Sequence, residues 1–133
     1  MNRTVLSLLA HPDDAEFLCA GTLIRLKREH GFDVHIATMT PGDCGSVEHG
    51  PDEIARIRRE EGAAAATLIG AAYHCLEERD LRVFYAEKPL EKVVRLLRQI
   101  QPGIVLTHSP ADYMLDHEMT SQLARAAAFA API

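Results

Sequence analysis

Short apolar runs alternate with amphipathic stretches along this chain, joined by brief connections, and that alternation limits the architecture more than any other property of the sequence. TVLSLLA (4–10), DVHIAT (33–38), the segment from Ala72 to Leu76 and GIVLT (103–107) are short and apolar, as strands buried on both faces are. Between the first two, residues 14–30 set Ala20, Leu23 and Ile24 opposite Arg25, Arg28 and Glu29 and stop at Gly31, which reads as an amphipathic helix. TPGDCGSVEHG (40–50) is a loop, and Pro51 opens a helix to about Gly70, proline being suited to a first helical position. Residues 88–101 carry Leu90, Val93, Val94, Leu97 and Ile100 on one stripe, and a last helix is expected from about His117. Strand–helix alternation with short links predicts an α/β fold with a mainly parallel sheet, right-handed crossovers and helices on both faces. No repeat or linker interrupts it, so residues 1–133 are expected to form one domain.

Composition removes several classes of function. The chain is 47% hydrophobic and 25% charged, in the range of soluble globular proteins, and no apolar run approaches the ~20 residues of a spanning helix. Its net charge is −5 and no basic run exceeds Arg58-Arg59, which argues against nucleic acid or an anionic membrane as partner. Cys19, Cys44 and Cys75 form no CxxC pair, which argues against a disulfide framework and suits a reducing compartment. The N-terminus lacks the long apolar region and cleavage site of a secretory signal, so a cytoplasmic location is expected.

In parallel sheets, ligands bind beyond the carboxyl ends of the strands. The polar residues with chemistry to offer gather there: His11, Asp13 and Asp14 after the first strand, Asp43 after the second, and His108, Asp112, Asp116 and His117 after the fourth. In HPDD at a strand-to-helix turn, His11 and one of the two carboxylates can share a cation while the other stands beside it. His117 would then arrive from the far loop as a third ligand. Imidazole nitrogen with carboxylate oxygen suits Zn²⁺, Fe²⁺ or Co²⁺, and two histidines with one aspartate leave a coordination position open for water. Taken alone, HPDD fits helix capping equally well, and Asp116-His117 fits an ordinary helix start.

Together these motifs resemble the LmbE-like (PIG-L) family of metal-dependent deacetylases acting on N-acetylglucosamine-type substrates. The resemblance rests on Ala10-His11-Pro12-Asp13-Asp14-Ala15-Glu16, Gly21-Thr22, Thr40 to Ser46, Arg58-x-x-Glu61 with Ala65 and Gly70, Thr107-His108 and Asp116-His117. It implies a Rossmann-like three-layer fold, a metal held by His11, Asp14 and His117, Asp13 as general base, and Asp116 supporting a histidine. It also implies hydrolysis of an N-acetyl amide on a small amino sugar or its conjugate, with zinc or another divalent metal such as Fe²⁺ as cofactor, and relatives that are often oligomeric. Arg58 would sit at the pocket edge and donate to substrate, or pair with Glu61 three residues on. Asp43 and Ser46 would bind substrate hydroxyls or close a turn, Tyr113 and Asp112 would line the pocket, and Cys44 would be a passive loop residue. His30, His35, His49 and His74 are expected in surface or packing roles.

The chain departs from that family in two respects. Its distal motif usually reads His-Pro-Asp-His, whereas Met114-Leu115-Asp116-His117 stands here, and methionine cannot polarise a carbonyl. His108 is the expected replacement, unless the metal alone supplies the electrophile. Family members also run longer than 133 residues, so a C-terminal part carrying further strands and part of the substrate wall is expected to be missing. A metal-binding relative without catalysis is the nearest competing reading. A phosphoacceptor receiver domain competes less well, since no lysine ends a fifth strand, and no GxGxxG supports dinucleotide binding.

Overall fold

The computed structural model describes residues 2–133. Its strands β1 (Thr4–Leu9), β2 (Asp33–Thr38), β3 (Ala72–Cys75) and β4 (Ile104–Leu106) form one parallel sheet in the order β3-β2-β1-β4. Helices α1 (Asp14–Leu18), α2 (Ala20–His30), α3 (Pro51–Leu68), α4 (Glu87–Ile100) and α5 (Leu115–Ala130) connect them. Every residue of β1 is buried, because it is central in the sheet and covered on both faces. One core joins Leu6, Leu8 and Ala37 to Val93, Leu97, Leu123 and Ala127 of α4 and α5. The other joins Val5, Leu9, Val34 and Ile36 to Ala15, Leu23 and Ala66 of α1, α2 and α3. The architecture is therefore the expected three-layer α/β sandwich. No helix among the described residues is long and apolar enough to cross a membrane.

Two element boundaries differ from expectation. The single helix expected over residues 14–30 is broken at Cys19, where φ of −144° takes the chain out of helical geometry. The last helix starts at Leu115, two residues before His117, so Asp116 and His117 lie in its first turn and are buried. Strand order reverses at β1, whose successors in the chain lie to one side and β4 to the other. The crevice beyond the strand ends at such a switch point is where this class of sheet binds ligands.

Candidate active site

Four loops leaving the carboxyl ends of β1, β2, β3 and β4 meet in a cleft of about 330 Å³. His11, Asp13 and Asp14 come from the first loop, Gly42, Cys44 and Gly45 from the second, Asp80 and Leu81 from the third, and Tyr113, Met114 and His117 from the fourth; Arg58 reaches in from α3. His11 Nδ1, His108 Nε2 and His117 Nε2 each lie 3.4 Å from Asp14 Oδ2. One donor atom each from His11, Asp14 and His117 also falls within 4.8 Å of the others.

Hydrogen bonds around this hub decide which way the rings present their lone pairs. His11 Nε2 donates to Asp116 Oδ2 at 2.8 Å, which leaves Nδ1 facing Asp14 as an acceptor. His117 Nδ1 donates to Asp112 Oδ1 at 3.0 Å, which leaves Nε2 facing Asp14 in the same way. Carboxylates on the outer nitrogens are the usual means of orienting metal-ligating imidazoles. Two nitrogen lone pairs thus oppose a carboxylate oxygen, an arrangement that needs a cation or a proton among them. Two imidazoles and one carboxylate, oriented from outside, fit a divalent transition metal. The same surroundings favour a proton on His11. Burial opposes its charge, but hydrogen bonds with Asp14 and Asp116, and the nearby charge of Asp14 and Asp80, push its pKa up to about 9. Burial likewise works against the Asp14 carboxylate, yet its hydrogen bonds with the His11 ring and the His11 N–H, and the nearby charge of His11, hold its pKa far below the ordinary range.

Asp13 stands at the mouth, its side chain 55% exposed, in a left-handed backbone conformation with φ of 79°. Tyr113 is more exposed still and sets its ring edge-on to His117, with centroids 5.4 Å apart. Asp116 is buried, and its Oδ2 also accepts the Leu81 N–H at 2.8 Å.

Other expected site residues are placed elsewhere. His108 is buried behind the cleft, stacked flat on His117 at 3.9 Å, and its Nε2 accepts the Ala10 N–H at 3.0 Å. That nitrogen is an acceptor, so His108 does not present the substrate-facing donor expected in place of a histidine at position 114. Asp43 is buried under the second loop, where it accepts the Asp80 N–H at 2.7 Å and the Arg79 Nε–H at 3.0 Å; it braces two loops and does not face the cleft. Ser46 closes a turn by accepting the Glu48 and His49 N–H groups. Arg58 does not pair with Glu61, which is exposed; its Nη2 donates to the Pro12 carbonyl at 2.7 Å and to Asp13 Oδ2 at 3.3 Å.

Asp80 is the residue that sequence reasoning missed. It is buried, bonds the Thr40 hydroxyl and the Cys44 N–H, and lies 3.9 Å from His11 Nε2. Within EERDLR nothing distinguishes it from a surface acid. Asp43, Cys44 and Asp80 also crowd together, but both carboxylates are occupied in tying the second loop to the third.

The sequence model of the family described as PIG-L: GlcNAc-PI de-N-acetylase matches residues 6–128. The chain belongs to this family. Among similar curated proteins, the 4-oxalmesaconate hydratase of Pseudomonas putida is 29% identical over 130 residues, covering 91% of this chain and 50% of the relative. The 1D-myo-inositol 2-acetamido-2-deoxy-alpha-D-glucopyranoside deacetylase of Rhodococcus erythropolis is 28% identical, covering 97% of this chain and 55% of its own length. The solved N,N'-diacetylchitobiose deacetylase of Pyrococcus horikoshii superposes with a TM-score of 0.87 at 30% identity, over 94% of this chain and 49% of that one. The chain therefore spans about half the length of the curated relatives it matches. A deacetylase and a hydratase thus share this fold.

Proposed function

We propose that the chain is a zinc-dependent hydrolase that removes an acetyl group from an N-acetylglucosamine-type amino sugar or its conjugate. The observation that carries this reading is the convergence of outward-braced imidazole lone pairs from His11 and His117 on Asp14 Oδ2. His11, Asp14 and His117 would hold the ion. When bound, zinc supplies Lewis acidity, acidifying water and polarising the acyl oxygen. Asp13 takes a proton from the attacking water and returns it to the leaving nitrogen as the amide C–N bond breaks, giving acetate and a free amine. The Met114 side chain has no donor, so an ion held by His11, Asp14 and His117 would supply the electrophile at the acyl oxygen. We assign His108 a positioning role, since its ring backs that of His117. Tyr113, exposed at the mouth, offers a flat face against which a pyranose ring can lie. A soluble substrate and three unpaired cysteines suit a cytoplasmic setting.

Amine release from N-acetylglucosamine and N,N'-diacetylchitobiose, with zinc and after chelation, tests this reading. Turnover that depends on metal is expected, and Asp13→Asn should abolish it while leaving metal content unchanged. Loss of metal in Asp13→Asn would mean that Asp13 and Asp14 have exchanged roles. Metal uptake with no amine released from either sugar would reject the hydrolase.

The hydratase relative supports a second reading, addition of water to an unsaturated carboxylic acid. Met114 favours it, because such a reaction needs no histidine at that position to stabilise an amide oxyanion. Loss of the conjugated-alkene absorbance of an unsaturated dicarboxylate, without amine release from the sugars, would select it.

A further inference from the structure

We propose that His35 and His74 form a site for a divalent transition metal at the edge of the sheet, separate from the cleft and independent of its reading. Side chains alternate between the two faces along a strand. Val34 and Ile36 of β2 enter the core under α1, α2 and α3, and Tyr73 of β3 packs against that core. His35 therefore shares the opposite face with Ala37, and His74, paired in register with Ala37, shares it too. β3 is the edge strand, so the two imidazoles lie where the sheet ends. The His35 side chain is 18% exposed and His74 is half-buried, so a small ion can reach both.

The pair is braced as metal-ligating imidazoles are. His35 Nε2 donates to Asp33 Oδ2 at 3.2 Å, two residues back on the same face of β2. A carboxylate on the outer nitrogen fixes the tautomer and the ring, which leaves Nδ1 with its lone pair. That atom lies 2.9 Å from His74 Nε2. The ring planes are within 20° of each other and the centroids 5.2 Å apart, so the two nitrogens face each other with one proton between them. Burial, and after it the charge of His35, hold the His74 pKa below its ordinary value, so its ring is neutral at neutral pH.

A metal ion can take the place of the bridging proton, which moves to the other nitrogen of His74. Two nitrogens at about 2.0–2.1 Å from one ion stand about 2.9 Å apart when they bond at a right angle, and about 3.3 Å apart at the tetrahedral angle. The gap between His35 Nδ1 and His74 Nε2 is that of adjacent corners of a square or an octahedron. A swing of each ring that turns the two lone pairs toward a common point completes the pair, while the β2–β3 ladder holds the backbones in register. Imidazole donors at right angles select Cu²⁺ or Ni²⁺, with water in the remaining positions, and Cu²⁺ binds the more tightly of the two. An ion there joins β2 to the edge strand, from which the chain runs on to Asp80 and Leu81 in the cleft.

Copper(II) added to the zinc-saturated protein tests the site by nuclear magnetic resonance. Substoichiometric copper should broaden the amide signals of His35, Ile36, Tyr73 and His74 and leave those of Ile104 and Leu106 in β4, on the far side of β1, sharp. His35→Gln and His74→Gln, each keeping a polar side chain at the sheet surface, should each abolish the broadening in β2 and β3. Asp33→Asn should weaken copper binding there about tenfold. In the Asp14→Asn protein, whose cleft lacks a ligand, electron paramagnetic resonance should still show a tetragonal copper bound by two imidazole nitrogens. Broadening confined to the cleft would overturn the proposal, as would β2–β3 broadening that survives in both histidine variants. A copper spectrum without imidazole nitrogen in Asp14→Asn would overturn it as well. None of these readouts uses catalysis, so a protein that releases no amine refutes the hydrolase while the copper data still decide this site.

Discussion

Replacing Asp116 with alanine isolates how much the outer carboxylate contributes to the site. Asp116 is 3% exposed, and its Oδ2 accepts from both His11 Nε2 and the Leu81 N–H at 2.8 Å. Alanine strands two donors that had a charged acceptor, each such bond contributing about 1.5–3 kcal/mol. His11 and Leu81 both border the open cleft, so water reaches them and the low end of that range applies, about 3 kcal/mol for the pair. Asparagine preserves an acceptor and the shape and removes only the charge, so Asp116→Asn should cost about 1 kcal/mol. Urea unfolding in the presence of a chelator reads the difference directly. At about 3–5 °C per kcal/mol for a domain of this size, Asp116→Ala should also lower Tm by roughly 9–15 °C. Zinc affinity, measured by competition with a chromophoric chelator, should fall about 10–100-fold in Asp116→Ala as His11 loses its orienting partner. An alanine variant within about 0.5 kcal/mol of the parent, the usual span of a surface change, would refute the bracing argument. So would an asparagine variant as damaged as the alanine one.

Two further predictions concern the loops and the core. Asp43 has its pKa held down: burial works against its charge but is outweighed by the Asp80 N–H and by Arg79. A depressed native pKa stabilises above the ordinary carboxylate value of about 3.9 and loses that stabilisation as pH falls through the native value. Asp43→Asn should therefore be less stable than the parent at pH 7 and converge with it under strongly acidic conditions; parallel acid-unfolding curves would count against the brace. In α3, a Cβ at Gly62 would come 2.8 Å from Tyr73 Cζ, whose hydroxyl is bonded to Thr38 at 2.8 Å. Gly62→Ala should thus destabilise by about 1–2 kcal/mol, the overpacking cost exceeding the helix-propensity gain, and a stabilised variant in thermal melts would show that Tyr73 yields freely.

Which parts of this site are legible in the sequence follows from the distance over which each interaction acts. Parallel strands covered on both faces have to be apolar along their length, so the alternation of strands and helices is visible in the chain itself. His11 and Asp14 are legible for the same reason, since their i, i+3 relation at a strand-to-helix turn is local and Asp14 Oδ2 does accept the His11 N–H. Arg58 shows the opposite case. Helical spacing suggests Glu61 as its partner, but the arginine turns to Pro12 and Asp13 on another loop. Leu81 carries no sign of its φ of 65°, because leucine is chemically unsuited to signal a left-handed position, yet that conformation aims its N–H at Asp116. Asp80 looks like an ordinary acid until the fold sets it beside Thr40, and Asp112, expected to line the pocket, instead accepts from His117. The ligating side chains are thus recognisable from residue type and local spacing. Of the carboxylates that aim them, Asp112 stands five residues before His117 on the same connection, whereas Asp116 reaches His11 across the sheet, and together they determine which lone pair each histidine presents. A chain with the same HPDD and DH motifs but no acid at position 112 would keep the apparent ligands while losing the contact that sets which nitrogen His117 turns to Asp14.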